Sequence, residues 1–571
     1  MKFAILADYL AQLEATASRN QITEILSVLL KKATDKEVDK ICYLCLGQLA
    51  PLYAGVEFNL AEKLMIKVLS RAFKTSEEKV KQAYKRLGDL GEIGEKLKVG
   101  QGKEDLSVEE VYQKLQAIAQ EQGGGSVERK INQMATLLNQ LKPLAVRYVV
   151  RIPLGKLRLG FSELTILDAL SWMLTGSKSK RQEIEEAFNV RADIGQISQI
   201  IKKQGLKGLK NLKIQLGIPI VPALCQRLPN AEEMIKKMGQ VAVEPKYDGT
   251  RLQIHWSRGK VGLFTRNLEN VTLMFPDIVE ALQKEIKAKE AIFDGEAIGF
   301  EPKTGKFLPF QETIKRKRKY QVDQKIKEIP LKYFAFDLLY KDGQDLLKTP
   351  FSQRREILAK TILPVSITIK VSPQMVTAKA QALRQFHDEQ IKKGLEGIVA
   401  KKWAAPYDPG RRGYTWVKLK QERGKKGGGL ADTLDCVVMG YYKGRGKRAD
   451  FGIGGFLVGV REKEESEPFL TISKIGTGLS DEQWREMKKR IDEVQTLNQP
   501  KQYVVNKNLF PDVWCAPKIV VEIEADNITK SPVHTARLAL RFPRLIQFRD
   551  DKSAKQATTL KEAEKLYKLQ G

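Results

Sequence analysis

The chain has 571 residues, and its 98 Lys and Arg against 69 Asp and Glu give a formal net charge of +29. At roughly 100–200 residues per domain, this length predicts about three or four domains. Hydrophobic residues make up 42% of the chain, which excludes a largely disordered protein. The sequence has no run of about 18 apolar residues, and its N-terminal apolar stretch is too short for a signal peptide, so we expect an intracellular protein without a membrane anchor.

The positive charge favours a polyanionic partner, of which nucleic acid is the commonest. A basic surface that only keeps the protein soluble and attraction to an anionic membrane stay open as alternatives, although no basic amphipathic segment favours the membrane. The five cysteines and three histidines are too few and too scattered for a disulfide framework or a histidine-based metal site. The chemistry of this chain must therefore depend on Lys, Arg, Asp and Glu.

Residues 1–212 are predicted to form an all-α domain. Apolar residues recur at helical spacing in residues 11–30 and again in residues 60–73. Ser107 begins a further helix with a capping box, since Glu110 follows three residues later. Residues 121–126 interrupt the helices, and another helix begins near Val127.

Residues 213–422 are predicted to form an α+β domain. Strands at 251–256 and 261–265 flank a turn and predict a hairpin. Further strands are predicted at 291–300, 333–339, 396–400 and 415–420, with helices near 275–289 and 376–393. This mixture is typical of an α+β architecture.

Residues 423–571 are predicted to form an all-β OB-fold domain with a C-terminal helix. The Gly- and Lys-rich stretch 421–429 favours a flexible linker. Strand patterns dominate from 435 to about 548, and a helix is predicted at 560–569. The length and basic character fit a five-stranded barrel, so the predicted architecture is multidomain, with a helical, an α+β and an all-β part in that order.

The sharpest local feature is the segment 244–251, with the sequence EPKYDGTR. Its Asp-Gly pair is an ordinary turn signal before a strand, so the segment alone indicates little. Downstream, strand alternation places Asp294 and Glu296 on one face of a strand. Alternation likewise places Lys418 and Lys420 on one face of another strand. A solvated face would explain any one of these charges, but together they favour a phosphate site with a divalent metal.

The ordered series KYDGTR, FDGE, YFAFD, EGIVAK, WVKLK and RFPR resembles the motifs of covalent nucleotidyltransferases, specifically of ATP-dependent DNA ligases of the archaeal replicative type. The resemblance covers nearly the whole chain, since residues 87–91, 128–130 and 147–160 resemble the DNA-binding domain of that family. It implies an enzyme that seals nicks in duplex DNA for replication, repair and recombination. The implied intermediates are lysyl-AMP and DNA-adenylate, and the implied cofactors are ATP and Mg²⁺.

The resemblance also implies a role for each matching residue. Lys246 would attack the α-phosphate of ATP and carry AMP covalently, Glu244 would read the adenine amino group, and Phe336 would stack on the base. Arg251 and Arg266 would hold the ribose and phosphate region. Glu296 and Glu396 would contact the metal and the ribose, and Lys418 and Lys420 would contact the α-phosphate. Arg412 or its neighbour Arg411 would contact the nucleotide. Arg541 and Arg544 would contact the pyrophosphate.

A lysine nucleophile must be neutral, yet a free lysine has a pKa near 10.4, so about one in a thousand is neutral at pH 7.4. Repulsion from Arg251, Lys418 and Lys420 has the sign that lowers the pKa of Lys246. A bound divalent metal would lower it further.

A nick has no distinctive base sequence, so recognition should depend on phosphates and groove shape. We expect Arg147, Arg151, Lys156 and Arg158 to contact DNA, the alternative being solvated cations beside core residues. The basic and aromatic segment 441–448 is a further candidate for a nucleic-acid groove. Residues 98–106 lack the aromatic pair with which many archaeal-type ligases dock the sliding clamp, so a clamp contact stays open. We expect a monomer in the cytoplasm, associated with the nucleoid and not with a membrane.

Other enzymes with related chemistry and a non-catalytic DNA-binding protein stay open as alternatives. An RNA ligase or an mRNA-capping guanylyltransferase would use the same lysine, but neither explains a helical domain of about 200 residues. An NAD-dependent ligase fits less well, because the chain lacks the nicotinamide-reading domain and the zinc site of that class. A non-catalytic scaffold that binds nicks or DNA ends, with a vestigial nucleotide pocket, is the alternative outside enzymes.

Overall fold

The computed structural model describes residues 1–16, 18–100, 106–210, 212–318, 322–420, 432–444, 451–464 and 467–569. The chain divides into two compact units, Met1–Gln390 with Ile398–Leu419 and Ile391–Gly397 with Lys420–Gly571. The predicted linker at 421–429 lies outside the described residues, as does the stretch 445–448 of the proposed groove segment. Within the described ranges, every helix is too short or too polar to cross a membrane.

The N-terminal part of the first unit is helical, as predicted. Its helices are α1 Phe3–Glu14, α2 Arg19–Lys32, α3 Val38–Cys45, α4 Glu62–Ala72, α5 Glu77–Leu87, α6 Leu90–Leu97, α7 Val108–Gln120, α8 Ser126–Gln140, α9 Pro143–Arg151, α10 Glu163–Thr175, α11 Arg181–Val190, α12 Ile194–Gln204 and α13 Lys207–Lys210. The apolar stripes of these helices share one core, which includes Phe3, Leu69 and Tyr148. Ser107 caps α7 and forms the predicted capping box with Glu110.

The rest of the first unit is α+β, also as predicted. Its strands are β1 Leu224–Arg227, β2 Val241–Pro245, β3 Thr250–Ser257, β4 Lys260–Thr265, β5 Glu290–Gly299, β6 Leu331–Lys341, β7 Gln344–Asp345, β8 Ile369–Val371, β9 Met375–Thr377, β10 Gly397–Lys402 and β11 Arg412–Lys420. Its helices are α14 Ala231–Met238, α15 Pro276–Glu285, α16 Phe310–Thr313, α17 Val322–Glu328, α18 Phe351–Thr361 and α19 Ala380–Lys392. The predicted helix at 376–393 is wrong at its start, because Val376 pairs with Ala242 in an antiparallel β9–β2 ladder.

Two sheets position the candidate site. One has the strand order β1-β11-β10-β2-β9, and the other has the order β4-β3-β5-β6-β7 with β8 added to β6. In the first sheet Val399 of β10 lies opposite Glu244 of β2. In the second, Arg251 of β3 lies opposite Glu296 of β5. The loop from β2 to β3 carries Lys246, so this lysine lies where the chain passes from one sheet to the other.

The second unit is rich in strands, as predicted. Its elements are β12 Leu434–Tyr442, β13 Gly455–Arg461, β14 Phe469–Ile475, α20 Asp481–Glu493, β15 Gln495–Thr496, β16 Tyr503–Val504, β17 Val513–Cys515, β18 Val520–Glu524, β19 Asn527–Lys530, β20 Leu538–Arg541, β21 Arg544–Phe548 and α21 Leu560–Leu569. The described strands form an eight-stranded sheet and a β19–β20 hairpin, where five strands were expected. The strands of two or three residues, β15, β16 and β17, account for part of the difference because they are too short to show alternation.

Candidate active site

Lys246 lies in the loop directly after β2 and is partly buried. Gly249 in the same loop packs closely against β5. A Cβ atom at this position would lie 2.3 Å from the carbonyl oxygen of Ala297 and 3.0 Å from Cγ of Glu296. Only glycine permits this approach, so the Asp-Gly turn fixes the distance between the Lys246 loop and the strand that carries Glu296.

Glu296 lies beside this loop, and its carboxyl group has a raised pKa. Burial raises the pKa of its carboxyl group to about 8, and the nearby carboxylates of Asp294 and Asp248 add to the shift, while the charges of Lys246 and Arg251 oppose it. The close approach of Gly249 to Cγ of Glu296 places the Lys246 loop beside Glu296, which is 50 residues from Lys246 in the sequence. The structure therefore brings together the two residues to which the motifs assign catalysis and metal binding.

Arg251 is held rigidly beside them. Its guanidinium donates two hydrogen bonds to Asp294, from Nε at 3.0 Å and from Nη2 at 2.6 Å, and a third from Nη1 to the carbonyl oxygen of Ala223 at 2.8 Å. Burial disfavours the charge of Arg251, but the Asp294 carboxylate outweighs burial and raises its pKa. The Tyr407 hydroxyl also donates to Asp294 at 2.7 Å. Two partners thus fix the carboxylate that orients Arg251.

Glu244 lies on β2, two residues before Lys246, and is buried. It is only 2% exposed, and its Oε2 lies 2.9 Å from Nζ of Lys401. Burial raises the pKa of Glu244 and lowers that of Lys401, and the charge of each partner offsets part of the other's shift. Nζ of Lys401 also donates to the carbonyl oxygen of Phe336 at 2.7 Å and lies 4.4 Å above the Phe336 ring.

Phe336, to which the motif position assigns base stacking, is partly exposed. The guanidinium of Arg251 lies 5.5 Å from the centre of this ring. An aromatic face beside cations suits a purine, which offers both a flat apolar surface and phosphates attached through the ribose.

Lys418 lies on β11 with the facing that alternation predicted. Val417 and Leu419 are buried at 0% and 7% exposure, while Lys418 is half-buried. Its position relative to the other cations is shown by Cys225 on β1. Burial raises the pKa of the Cys225 thiol, and Arg251, Lys418, Lys246 and Lys401 act against that shift. All four cations thus act on the same thiol.

Three other predicted residues of the first unit are Arg266, Arg411 and Arg412. Arg266 is exposed one residue after β4. The backbone of Arg412 belongs to β11, and its side chain lies outside the described part of the structure. Its neighbour Arg411 is exposed and pairs with Glu186 of α11, so it is already engaged with a carboxylate.

The remaining nucleotide contacts predicted from the motifs belong to the second unit. Glu396 and Lys420 pair with each other there, with 3.5 Å between Oε2 and Nζ. Arg544 begins β21, and its Nη2 donates to Asp526 at 2.7 Å. Arg541 ends β20, three residues earlier.

The predicted DNA contacts are corrected in one case. Arg151 is 1% exposed, and its guanidinium is 2.7 Å from Asp89 and 2.7 Å from Glu14. A buried cation with two carboxylate partners is unavailable to a phosphate, so the prediction for Arg151 is wrong. Lys156 is 51% exposed and Arg158 is 28% exposed, which leaves both accessible. Arg147 is 26% exposed and pairs with Glu95.

Sequence reasoning missed two residues of the site, Lys401 and Arg355. Lys401 ends the EGIVAK motif, so its position in that series was the available signal. Arg355 lies on α18, outside every motif, and its Nη1 is 3.6 Å from Oε1 of Glu244. Nothing in the local sequence distinguishes it from an ordinary surface arginine.

The described residues contain no cluster of three or more His, Cys, Asp or Glu side chains arranged to hold a metal ion. Mg²⁺ is commonly bound by one or two carboxylates together with phosphate oxygens of the substrate, which does not require such a cluster.

A half-buried lysine among fixed cations, a buried carboxylate and an accessible aromatic ring form a site suited to covalent transfer of a nucleotide. Sequence models of known families agree with this class. Residues 222–420 match the ATP dependent DNA ligase domain, residues 2–171 match the DNA ligase N terminus, and residues 449–552 match the ATP dependent DNA ligase C terminal region.

Similar proteins span the whole chain. A "Probable DNA ligase" from Dictyoglomus thermophilum is 44% identical over 578 residues, which cover 100% of this chain and 98% of that protein. A "DNA ligase" from Sulfurisphaera tokodaii is 39% identical over 594 residues, with the same two coverages. The chain belongs to the ATP-dependent DNA ligase family, as its motifs predicted.

The fold is also similar to a solved structure. A chain described as Pmar-Lig_Pre has a TM-score of 0.53 and 19% sequence identity, covering 95% of this chain and 99% of that chain. At this identity the similarity concerns the fold alone.

Proposed function

We propose that this ATP-dependent DNA ligase forms its covalent intermediate on Nζ of Lys246. One observation carries the proposal: the loop that carries Lys246 packs against β5, where a Cβ at Gly249 would lie 3.0 Å from Cγ of Glu296, and the charge of Lys246 acts on the Glu296 carboxyl group. A neutral amine on Lys246 would be the nucleophile: positive charges nearby act in that direction, and the Glu296 carboxyl group acts against it when ionised.

The proposed reaction has three steps. Nζ of Lys246 attacks the α-phosphate of ATP, a P–N bond forms, and pyrophosphate leaves. AMP then passes to the 5′-phosphate at a DNA nick. The adjacent 3′-hydroxyl attacks that phosphate, AMP leaves, and the strand is sealed. Fixed cations can stabilise the charge that develops on phosphate oxygens in each step, with Arg251 and Lys418 placed to do so.

The other residues of the site are proposed to bind the nucleotide. Phe336 would stack on adenine, and Glu244 would accept a hydrogen bond from its amino group. Arg251 would contact the ribose and phosphate region, and Lys418 the α-phosphate. The roles assigned to Arg266, Arg412, Lys420, Arg541 and Arg544 stay predictions from the motifs.

The residues present fit Mg²⁺ at Glu296. A buried carboxyl group with a pKa of about 8 is costly to ionise, and a divalent cation would offset that cost. When bound, Mg²⁺ supplies charge neutralisation at the phosphates. Glu296 would hold the ion, and Glu396 is the second carboxylate that the motifs predict.

The DNA-binding parts are proposed from surface charge and motif position. Arg147, Lys156 and Arg158 of the helical part remain candidates for phosphate contacts on nicked duplex DNA. We propose that residues 423–571 form an OB-fold, that the domains meet at 212/213 and 422/423, and that the enzyme acts as a monomer at the nucleoid. A sliding-clamp contact has no identified residues.

A covalent-labelling assay tests the proposal. Purified protein is incubated with Mg²⁺ and α-labelled ATP, α-labelled GTP or labelled NAD, and then separated on a denaturing gel. We expect labelling by ATP, loss of the label in Lys246→Ala, and discharge of the label on addition of nicked duplex. Lys260→Ala is the matched control, because Lys260 is exposed on the neighbouring hairpin.

Three outcomes would contradict the proposal. A label that persists in Lys246→Ala would place the adduct on another residue. Labelling by GTP alone would indicate capping chemistry. Absence of label with every nucleotide, with mass spectrometry showing that the protein was not already adenylylated, would indicate a DNA-binding scaffold.

A further inference from the structure

Two buried polar atoms beside the proposed adenine site have no hydrogen-bond partner in the described structure. They are Oε1 of Glu244, which is an acceptor, and Nη1 of Arg355, which is a donor. The two atoms lie 3.6 Å apart, too far for a good hydrogen bond with each other. Buried polar groups are nearly always paired, so this adjacent donor and acceptor require an explanation.

Both side chains are held in place by their other atoms. Oε2 of Glu244 is engaged by Nζ of Lys401 at 2.9 Å. Nη2 of Arg355 donates to the carbonyl oxygen of Ser372. Ser372 is itself fixed, because its N–H donates to the carbonyl oxygen of Ala335 at 2.8 Å. Oε1 and Nη1 are therefore the two atoms of this pair that remain for a ligand, and Ala335 directly precedes Phe336 in β6.

The backbone beside Glu244 cannot supply the missing donor. The next residue is Pro245, which has no N–H group. Pro245 therefore offers no backbone donor next to Oε1 of Glu244, whereas Nη1 of Arg355 is a side-chain donor 3.6 Å from that atom.

We propose that Arg355 is a specificity residue, whose Nη1 donates to N1 of adenine while Oε1 of Glu244 accepts from the 6-amino group. Adenine presents a donor and an acceptor side by side on this edge, which complements the pair. Guanine presents an acceptor at O6 and a donor at N1, the reverse arrangement, so both contacts become unpaired or repulsive. The inference rests on the proposed nucleotide site and adds how that site selects ATP over GTP.

The test compares ATP with 1-deaza-ATP, which lacks the N1 acceptor and keeps the 6-amino group. In wild-type protein we expect covalent labelling by 1-deaza-ATP to be roughly ten- to a hundred-fold less efficient than by ATP, the range for losing a hydrogen bond to a charged group. In Arg355→Met, labelling by ATP should fall by a similar factor, and 1-deaza-ATP should be used as well as ATP.

A second analogue separates Arg355 from Glu244. Purine riboside triphosphate keeps N1 and lacks the 6-amino group, so Arg355→Met should still prefer ATP over this analogue. Arg384→Met is the matched control, because Arg384 lies exposed on α19 and should keep every wild-type preference.

Two results would overturn the inference. Equal labelling of wild-type protein by ATP and 1-deaza-ATP would show that N1 is not read, and this result does not depend on whether any variant folds. A preference for ATP over 1-deaza-ATP that survives in Arg355→Met would show that Arg355 positions Glu244 without touching the base. Both results leave the Lys246 adduct intact, whereas failure of the proposed function removes the dependence on Lys246.

Discussion

Replacing Arg151 with methionine tests whether this residue stabilises the helical part or binds DNA. Its guanidinium contacts Asp89 and Glu14 at 2.7 Å each, and Asp89 is only 3% exposed. Removing one partner of a buried ion pair costs about 3–5 kcal/mol, because the other charge is left unpaired. Arg158 remains 3.1 Å from Asp89, so we expect the lower end, about 3 kcal/mol.

The expected thermal shift follows from the size of the unit that unfolds. One kcal/mol shifts the midpoint by about 2–4 °C in a unit of 150–250 residues and by less in a larger one. The helical part belongs to the larger compact unit Met1–Gln390 with Ile398–Leu419, so Arg151→Met should melt lower by up to about 6 °C. The assay is calorimetry of the full-length protein, with hydrogen exchange in α9 to assign the transition. The test does not require DNA.

The effect should also depend on pH with a definite sign. Burial acts to raise the pKa of Asp89, but the hydrogen bond and charge of Arg151, together with Arg158, outweigh burial and lower it. A carboxyl group whose pKa is lowered by folding stabilises the protein above its unfolded pKa of about 3.9 and loses that contribution as the pH falls. The difference between wild type and Arg151→Met should therefore shrink below about pH 4.

Lys156→Met provides the contrast. Lys156 is 51% exposed and pairs with Glu62 at the surface, so its loss should cost at most about 1 kcal/mol. If Lys156 contacts a phosphate, its loss should reduce the slope of log K against log salt for nicked DNA by about 1. An Arg151→Met protein with unchanged melting and a similarly reduced salt slope would refute the argument from burial.

Two further predictions concern the adenylation part. Gly249→Ala should slow formation of the covalent adduct by at least about tenfold, because the new Cβ displaces the Lys246 loop. Gly124→Ala is the control, because a Cβ at that position meets open space. Equal labelling of the two variants would contradict the prediction. Burial lowers the pKa of His255 to about 3, and the neutral ring accepts a hydrogen bond from the N–H of Gly217 at 3.0 Å. The folded protein therefore binds fewer protons than the unfolded chain between pH 3 and about 6.5. This group should lower the free energy of unfolding by roughly 2 kcal/mol between about pH 6.5 and 5 in wild type and not in His255→Gln. Equal pH dependence of thermal unfolding in both proteins would show that His255 is not responsible.

Much of the candidate site could be predicted because its residues follow local patterns. The period-two alternation of β11 predicted that Lys418 lies on the face opposite to Val417 and Leu419. The Asp-Gly turn signal identified the position of Gly249. The order of the motifs then identified Lys246. Alternation and turn signals depend on a few consecutive residues, and the order of the motifs runs along the chain, so both kinds of feature are visible in a single sequence.

Arg151 and Arg355 could not be read in this way. The partners of Arg151 lie 62 and 137 residues away in the sequence. Arg355 lies on α18, which packs on β6, and its contacts are with Glu244 of β2 and with Ser372 after β8, which are separate in the chain. On its own helix each arginine resembles a solvated cation, and its burial is decided by long-range packing.

The same packing changes what the net charge of +29 implies for DNA binding. Arg151, Arg316 and Arg354 are the three largest fully buried side chains in the described structure, and each one contacts an aspartate within 2.7 Å. Such arginines add to the formal charge but release no counterions when DNA binds, because their charge is already matched inside the protein. The salt dependence of nick binding should therefore reflect only the exposed cations, and the number of phosphate contacts derived from it should fall well below the formal excess. The arginines that look most like DNA ligands in the helical sequence are thus partly structural, and exposed residues such as Lys156 are better candidates for the phosphate contacts.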